Sequence, residues 1–388
     1  MKLTLVATCL FGLEKMLGEE IEALGYERIS TIDGRVTFLG DEEAVALSNV
    51  FLRFAERVFI RVGEPFRAES FDELFEGVRA LRWSDFIGID DAFPVKGHAI
   101  KSKLHSIPDC QAIVKKAVVR SLGEKYGVSF FKEEKTKYQI EFFILNDIAT
   151  LMIDTSGVAL HKRGYRKDSL GAPIRETLAA AIAKISRPRE SVLLWDPMCG
   201  SGTIAIEAAM QMRGIAPGSR RGFAAESFPF ISQRIWRDAK EEAISLEHPS
   251  DFEAYASDID PLAVELAEKN AALAGVADTV KVFRADSTKI ENPGRRGTIV
   301  TNPPYGERLG TLREAETLYK QIGEKFRALS PWQVYVITSH PSFERFYGKR
   351  ADKVRKLYNG MLPCYLYQYF KNDFAGAEKA LKEQKMVY

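Results

Sequence analysis

The chain has 388 residues, 46% of them hydrophobic, and a formal net charge of +2. Length and apolar content suit two or three domains with separate cores, while no apolar run nears the ~18 residues of a membrane span and no signal-peptide pattern opens the chain, so a cytoplasmic protein is expected. Cys9, Cys110, Cys199 and Cys364 are too scattered for a disulfide framework or zinc site, and the small charge leaves attraction to phosphates to local clusters.

In chain order, Leu3–Ala7, the apolar-periodic Gly12–Leu24, Arg28–Ile32, Arg35–Leu39, Glu42–Leu52 and Val58–Val62 alternate as β-α-β-β-α-β. Asp33-Gly34 forms a two-residue hairpin turn. This is the split ferredoxin-like order. A second unit follows: a helix around Phe71–Leu81, a strand Val95–Ser102, a helix opening near Ile107-Pro108-Asp109 and running to about Leu122, and strands Tyr138–Asn146 and Ala149–Asp154. Pro108 in the first turn with Asp109 beside it is a helix start signal. Neither unit holds an acid–base or nucleophile constellation, so both read as binding and spacing modules, with His98 and His105 as surface or packing residues.

After Gly171 the pattern becomes strands alternating with longer helices. The helical stretches are Asp196–Arg213, Pro261–Gly275 and Thr317–Leu329; the strands are Phe252–Ser257, Thr279–Arg284, Thr298–Thr301 and Val334–Thr338, with late strands from Met361–Phe370. Such alternation predicts a mostly parallel sheet with ligands at the carboxyl ends of its strands.

Two motifs fall at those ends. The strand Ser191–Trp195 runs into Asp196-Pro197-Met198-Cys199-Gly200-Ser201-Gly202-Thr203 and then a helix. Gly200 and Gly202 allow positive φ and close backbone approach, with helix N–H groups turned to a ligand, so a nucleotide-like cofactor fits. Gly200–Ala205 also satisfies G-x-G-x-x-A, but a dinucleotide fold places its ribose-binding acid about 20 residues on. Here the next strand ending in an acid is Phe252–Asp258, beyond a basic and aromatic insert. Asp196 before the turn would also repel phosphates and favour an ammonium or sulfonium.

The second motif, Thr301-Asn302-Pro303-Pro304-Tyr305-Gly306, follows the apolar run Thr298–Val300. Two prolines remove two backbone donors and leave carbonyls free to accept, and the Asn302 amide accepts once more. Tyr305 offers a π-face on which a base stacks. Together they suit an exocyclic amine, although Pro-Pro after a strand also serves as a simple ladder stop.

Residues 196–203 together with Thr301–Leu309 resemble the class I S-adenosylmethionine-dependent methyltransferases acting on exocyclic amines of nucleobases. More narrowly, Leu160–Arg166, Ala172–Ile182 and Ala216–Phe223 are similar to segments of THUMP-containing RNA guanine-N2 methyltransferases, and nearest to the bacterial family modifying guanine in 23S ribosomal RNA, in its short form. The resemblance implies an α/β fold with a Rossmann-like, mostly parallel seven-stranded sheet, one strand of it antiparallel, behind an α+β region. The domains would be a ferredoxin-like domain over 1–62, a THUMP RNA-binding domain over 63–160 and the methyltransferase over 161–388. It further implies S-adenosyl-L-methionine as cofactor, RNA as partner, and no metal.

On that reading Asn302, Pro303, Pro304 and Tyr305 act at the target amine. Asp196 sits near the cofactor ammonium, Pro197, Gly200, Gly202 and Thr203 shape its cradle, Asp258 takes the ribose hydroxyls and Asp286 the adenine amine. Asp260 competes for the ribose, although Pro261 after it reads as a helix start with Asp260 as N-cap. Thr177 either closes over the cofactor or simply starts an Ala-rich helix. An RNA track is expected from Lys162, Arg163, Tyr165, Arg166 and Lys167 and from Arg220 and Arg221 with Phe223, supplemented by Arg213, Arg295-Arg296 and the basic residues of 349–356. A transfer-RNA guanine, adenine N6, and a non-enzymatic RNA-binding assembly protein are the alternatives.

Overall fold

The computed structural model describes residues 1–166, 173–304 and 312–370. Its first half contains β1 (Leu3–Cys9), α1 (Glu14–Ala23), β2 (Arg28–Ile32), β3 (Arg35–Gly40), α2 (Glu42–Phe51), β4 (Ala55–Arg61), β5 (Phe66–Arg67), α3 (Phe71–Arg79), β6 (Val95–Ile100), α4 (Ile107–Tyr126), β7 (Ile140–Leu145) and β8 (Ile148–Asp154). The second contains α5 (Glu176–Ser186), β9 (Leu193–Asp196), α6 (Thr203–Met212), α7 (Gln233–Ser245), β10 (Ala254–Asp258), α8 (Pro261–Ala274), β11 (Val280–Arg284), β12 (Gly297–Thr301), α9 (Leu312–Ala328), β13 (Gln333–Thr338), α10 (Phe343–Tyr347), β14 (Lys353–Asn359) and β15 (Leu362–Tyr369).

The chain divides into two compact units, one of them Met1–Cys9, Leu17–Leu160 and Arg221–Glu242. This unit is built on one sheet in the order β2-β3-β1-β4-β8-β7-β6, with β5 beside β8. The stretch β2-β3-β1-β4 is antiparallel throughout, as the ferredoxin-like order requires. Antiparallel pairing of Phe59–Arg61 with Met152–Asp154 continues it into the second set of strands. Ile32 pairs with Arg35, so Asp33-Gly34 is the two-residue turn its sequence suggests. Capping follows the chain's polar residues: Asp41 accepts from the Ala44 N–H at 3.0 Å, Ser70 from Glu73 at 3.2 Å, and Gly127 ends α4 with φ +70°.

The basic and aromatic insert folds partly into this first unit. Ala225 N–H donates to the Thr155 carbonyl at 3.0 Å, and the buried Phe228 ring stacks on Tyr138 at 4.4 Å between centroids. Most of α7, which apolar periodicity did not reveal, lies in this stretch.

The other unit, Leu10–Met16, His161–Arg220 and Ala243–Tyr388, carries a seven-stranded sheet in the order β11-β10-β9-β12-β13-β15-β14. Pairings from β11 to β13 are parallel. β15 alone runs antiparallel, against β13 and β14. α9 presents Ala315, Tyr319, Ile322 and Phe326 to a core shared with Trp195, Trp332, Phe343 and Tyr367. The expected helix over 196–213 begins only at Thr203, because Asp196 closes β9 and the glycines bend the chain first. The strand order changes direction at β9 and β12, the place where open α/β sheets leave a crevice for ligands.

Candidate active site

The loop from β9 to α6 is fixed by its own backbone. Gly200 and Gly202 have φ of +52° and +78°. A Cβ on Gly202 would lie 3.1 Å from that of Ala267, so both conformation and the approach of α8 demand glycine there. On Gly200 it would meet nothing within 4 Å, leaving an open face. Gly202 N–H donates to the Cys199 carbonyl at 2.8 Å, Cys199 N–H to the Ser257 carbonyl at 3.0 Å, and the Asn270 amide to the Ser201 carbonyl at 3.0 Å. Trp195 Nε1–H donates to Ser257 Oγ at 2.9 Å, tying β9 to β10.

Three carboxylates stand at the strand ends. Asp196 is 1% exposed and accepts from the Thr301 hydroxyl at 2.7 Å and the Met198 N–H at 3.3 Å. Burial pushes its carboxyl up to about 7, against the opposing pull of those two bonds and with a smaller push from Asp258. Asp258 accepts from the Gly200 N–H at 2.9 Å and the Asp260 N–H at 3.1 Å. Asp260 itself caps α8, accepting from Leu262 N–H at 2.9 Å. Asp286 accepts from the Thr288 hydroxyl and N–H at 2.7 and 3.0 Å, bonds that hold it below the usual carboxylate range.

These groups enclose a cavity of about 370 Å³ lined by Pro197, Met198, Gly200, Asp258, Asp286 and Asn302, with Ile259 and Leu318 as apolar wall. Beside it a recess of about 60 Å³ is lined by Asp196, Cys199, Ser201 and Thr203. Met198, Gly200 and Asn302 line both. Thr177 is fully buried in the first turn of α5 and lines neither. Burial raises the Cys199 thiol well above its ordinary value, which disfavours the reactive thiolate form. Among the described residues no group of His, Cys, Asp and Glu is placed to hold a metal ion, and no helix is long and apolar enough to cross a membrane.

The Asn-Pro-Pro run leaves β12 at the rim of this cavity. Pro303 is buried, Asn302 and Pro304 half-buried. The Pro304 carbonyl accepts from the Tyr319 hydroxyl at 3.2 Å, and Tyr319 also meets Thr338 Oγ1 at 3.2 Å. This contact of Tyr319 is one that sequence reasoning missed: at helical spacing the residue resembles any core aromatic. Tyr305 and Lys167 lie outside the described residues.

The expected RNA track is corrected at Arg163 and Tyr165, which are buried, while Lys162 and Arg220 are exposed. Tyr165 is 4% exposed and donates to Glu207 at 3.1 Å, so its ring is not open to a base. Arg163 is buried and pairs with Glu207 at 3.6 Å. Arg166 is bound to Glu176 at 2.9 Å, the Ile174 carbonyl at 2.8 Å and Thr203 at 3.2 Å. Arg220 pairs with Glu247 at 2.9 Å, and Arg221 donates to the Ala159 carbonyl at 2.8 Å. Phe223 is buried against Trp236, 5.4 Å away. Lys162 is exposed. Most of these cations therefore balance acids or carbonyls of the fold.

The donor set suits S-adenosylmethionine: carboxylates for an ammonium, a ribose diol and an amine, an open glycine face and apolar walls. Residues 163–368 match the model of the RMKL-like methyltransferase domain, 4–59 the RlmL ferredoxin-like domain and 68–154 the THUMP domain. "Putative RNA methyltransferase YpsC" of Bacillus subtilis (strain 168) is 42% identical over 374 residues, covering 95% of this chain and 96% of that one. A structure described as a predicted N6-adenine-specific DNA methylase from Listeria monocytogenes str. 4b F2365 has a TM-score of 0.88 and 42% identity, covering 96% of this chain and 97% of its own. SMU.472, a "putative methyltransferase complexed with SAH", has a TM-score of 0.88 and 39% identity, covering 96% and 98%. The chain belongs to the RMKL-like methyltransferases, S-adenosylmethionine-dependent enzymes, and carries a RlmL ferredoxin-like domain and a THUMP domain ahead of the catalytic part.

Proposed function

We propose that the enzyme methylates the exocyclic N2 amine of a guanine in RNA, with 23S ribosomal RNA as the substrate implied by its family resemblance. The observation that carries this reading is that Asn302, at the end of β12, lines both the carboxylate-bearing cavity and the recess beside it. Asp258 would hold the ribose hydroxyls, a two-oxygen task for a carboxylate, Asp286 the adenine amine and Asp196 the ammonium. When bound, the cofactor supplies a methyl group carried on a sulfonium.

The guanine amine is a poor nucleophile because its lone pair is delocalised into the ring. The Asn302 side-chain oxygen and the Pro303 carbonyl accept its two N–H bonds and favour a pyramidal nitrogen. Tyr319 holds the neighbouring Pro304 carbonyl, so the acceptors are set before the base arrives. Positioning and favouring the charge as it forms supply most of the rate, several kcal/mol each, and the proton leaves to water. The base must be unstacked, at a cost of a few kcal/mol, which favours loops and partly unfolded RNA.

RNA as substrate is supported by the THUMP match over 68–154 and by the description of the Bacillus subtilis relative. A transfer-RNA guanine fits the same chemistry. Adenine N6 is the second reading, favoured by the description of the Listeria monocytogenes structure, because two acceptors at 302 and 303 suit any planar exocyclic amine. Nucleoside mass spectrometry of ribosomal RNA, transfer RNA and DNA from a deletion strain separates them, and loss of one N2-methylguanosine from ribosomal RNA is expected. Loss of N6-methyladenine alone would refute guanine as the target. Asn302→Ala should lower methyl transfer by about 10²–10³-fold, the scale of one lost transition-state contact, with cofactor binding kept.

A further inference from the structure

A second and larger cavity, about 510 Å³, lies at the opposite, amino-terminal edge of the parallel sheet. Lys184 and Arg187 from the end of α5, Arg189, Arg296 before β12, and Lys353 and Arg355 of β14 line it, and among the described residues no Asp or Glu does. Arg187, Arg189, Arg296 and Lys353 are exposed at its rim, and among the described residues their side chains take no hydrogen bond or ion pair. Among the described residues Arg355 donates to the Gly12 carbonyl alone, at 3.4 Å.

A helix C-terminus attracts cations through its dipole, which accounts for Lys184 and Arg187. It does not account for Arg296, Lys353 and Arg355, which come from other elements. Like charges around one concave space repel, and low-dielectric walls focus their field on an anion. A second observation points to the same ligand. Gln368 of β15 lines the cavity, is 4% exposed, and among the described residues its buried side-chain Nε2 donor has no partner. A buried donor left unsatisfied costs about 1–3 kcal/mol, a cost that an acceptor from outside the protein removes. Tyr335 and Phe370 add aromatic wall, and the space exceeds what a single small ion fills.

We propose that this cavity is a phosphate-binding site, filled either by backbone phosphates of the RNA substrate or by a free small phosphate compound. The four residue steps from Thr298, which lines it, to Asn302 put it about 13 Å from the proposed methyl-transfer edge at 3.3 Å per residue. That distance corresponds to about four phosphates of a stacked strand at 3.4 Å each. An RNA held at both edges would be positioned, not read, by the second contact. The RNA source rests on the proposed substrate; the free-phosphate source does not.

The test uses the full chain and the double variant Arg296→Glu/Lys353→Glu, with S-adenosylhomocysteine titration as the control for folding. Fluorescence anisotropy of a short labelled single-stranded RNA is measured across a salt series, and inorganic pyrophosphate is titrated calorimetrically. If RNA backbone fills the site, the variant binds RNA at least about tenfold more weakly. Its log K against log salt slope falls by about 1.4, at 0.7 per phosphate contact. The pair Arg296→Gln/Lys353→Gln should show a smaller loss in the same direction, separating lost attraction from added repulsion. If a small phosphate is the ligand, the wild type binds pyrophosphate saturably, the variant does not, and RNA affinity is unchanged. Wild-type RNA affinity and slope in the variant, together with no saturable pyrophosphate binding by the wild type, would overturn the proposal.

Discussion

If Asp196 holds the cofactor ammonium as proposed, cofactor binding depends on pH in a direction that can be worked out beforehand. Its carboxyl lies at about 7 in the folded chain against an ordinary 3.8, chiefly because it is buried. With a midpoint at 7 the group is about nine-tenths ionised at pH 8 and one-tenth at pH 6, so a ligand ammonium that needs the carboxylate loses about tenfold in affinity between them, or 1.4 kcal/mol. S-adenosylhomocysteine, titrated calorimetrically from pH 6 to 8, carries the ammonium without the sulfonium and isolates this contact. Asp196→Asn keeps an oxygen for the Thr301 hydroxyl and should bind weakly with no such slope. Stability runs the other way. A pKa raised by folding contributes stability that is complete below 3.8 and is lost as pH rises through about 7. The ligand-free Asn variant should therefore match or exceed the wild type in thermal midpoint at pH 8 and lose its advantage near pH 4. Equal affinities at pH 6 and 8 in the wild type, or the same slope in the Asn variant, would refute this account.

Three further outcomes are expected. Asp258→Ala removes the acceptor for two backbone N–H groups as well as the proposed ribose contact, so cofactor affinity measured by calorimetry should fall by about 2–3 kcal/mol, the worth of charged hydrogen bonds. Tyr319→Phe deletes the hydroxyl between Pro304 and Thr338; kcat should fall several-fold with cofactor Kd unchanged and stability lowered by about 1 kcal/mol. Gly323→Ala would put a Cβ 2.2 Å from the Tyr347 carbonyl oxygen, forcing α9 and α10 apart. Urea unfolding should show a loss of about 1–3 kcal/mol, the range for overpacking.

The ferredoxin-like elements were legible to within a few residues because half-buried strands and amphipathic helices leave periodic traces and Asp33-Gly34 marks a turn. The motif ends of β9 and β12 were legible for a different reason, since Gly200 and Gly202 permit a turn other residues resist while Pro303 and Pro304 fix φ and stop the ladder. α7 was not, because Gln233–Ser245 is mostly polar and its few apolar residues look like part of a loop. β14 read as a basic cluster: it is an edge strand whose Lys353, Val354 and Lys356 are exposed, and charge on an edge is how sheets avoid further pairing. Tyr319 stayed hidden because its hydroxyl partners, Pro304 and Thr338, are contributed by other strand ends.

Two basic stretches that look alike in the sequence meet opposite fates in the fold, and counter-charge decides between them. Lys162–Arg166 packs against Glu207 of α6 and Glu176 of α5. Arg166 thereby joins the start of α5 to Thr203 at the start of α6, the residue that directly follows the glycine turn. Removing one partner of a buried pair leaves an uncompensated charge, at about 3–5 kcal/mol, so Arg163 and Arg166 are bound to the scaffold of the candidate site and have little left for phosphates. Arg296 and Lys353 carry the same charge but face a cavity with no acid among the described residues of its wall. The acids that neutralise the first stretch lie 10 to 44 residues away in sequence, and only folding brings them within reach. Phosphate attraction therefore belongs to the cations that the fold leaves unmatched.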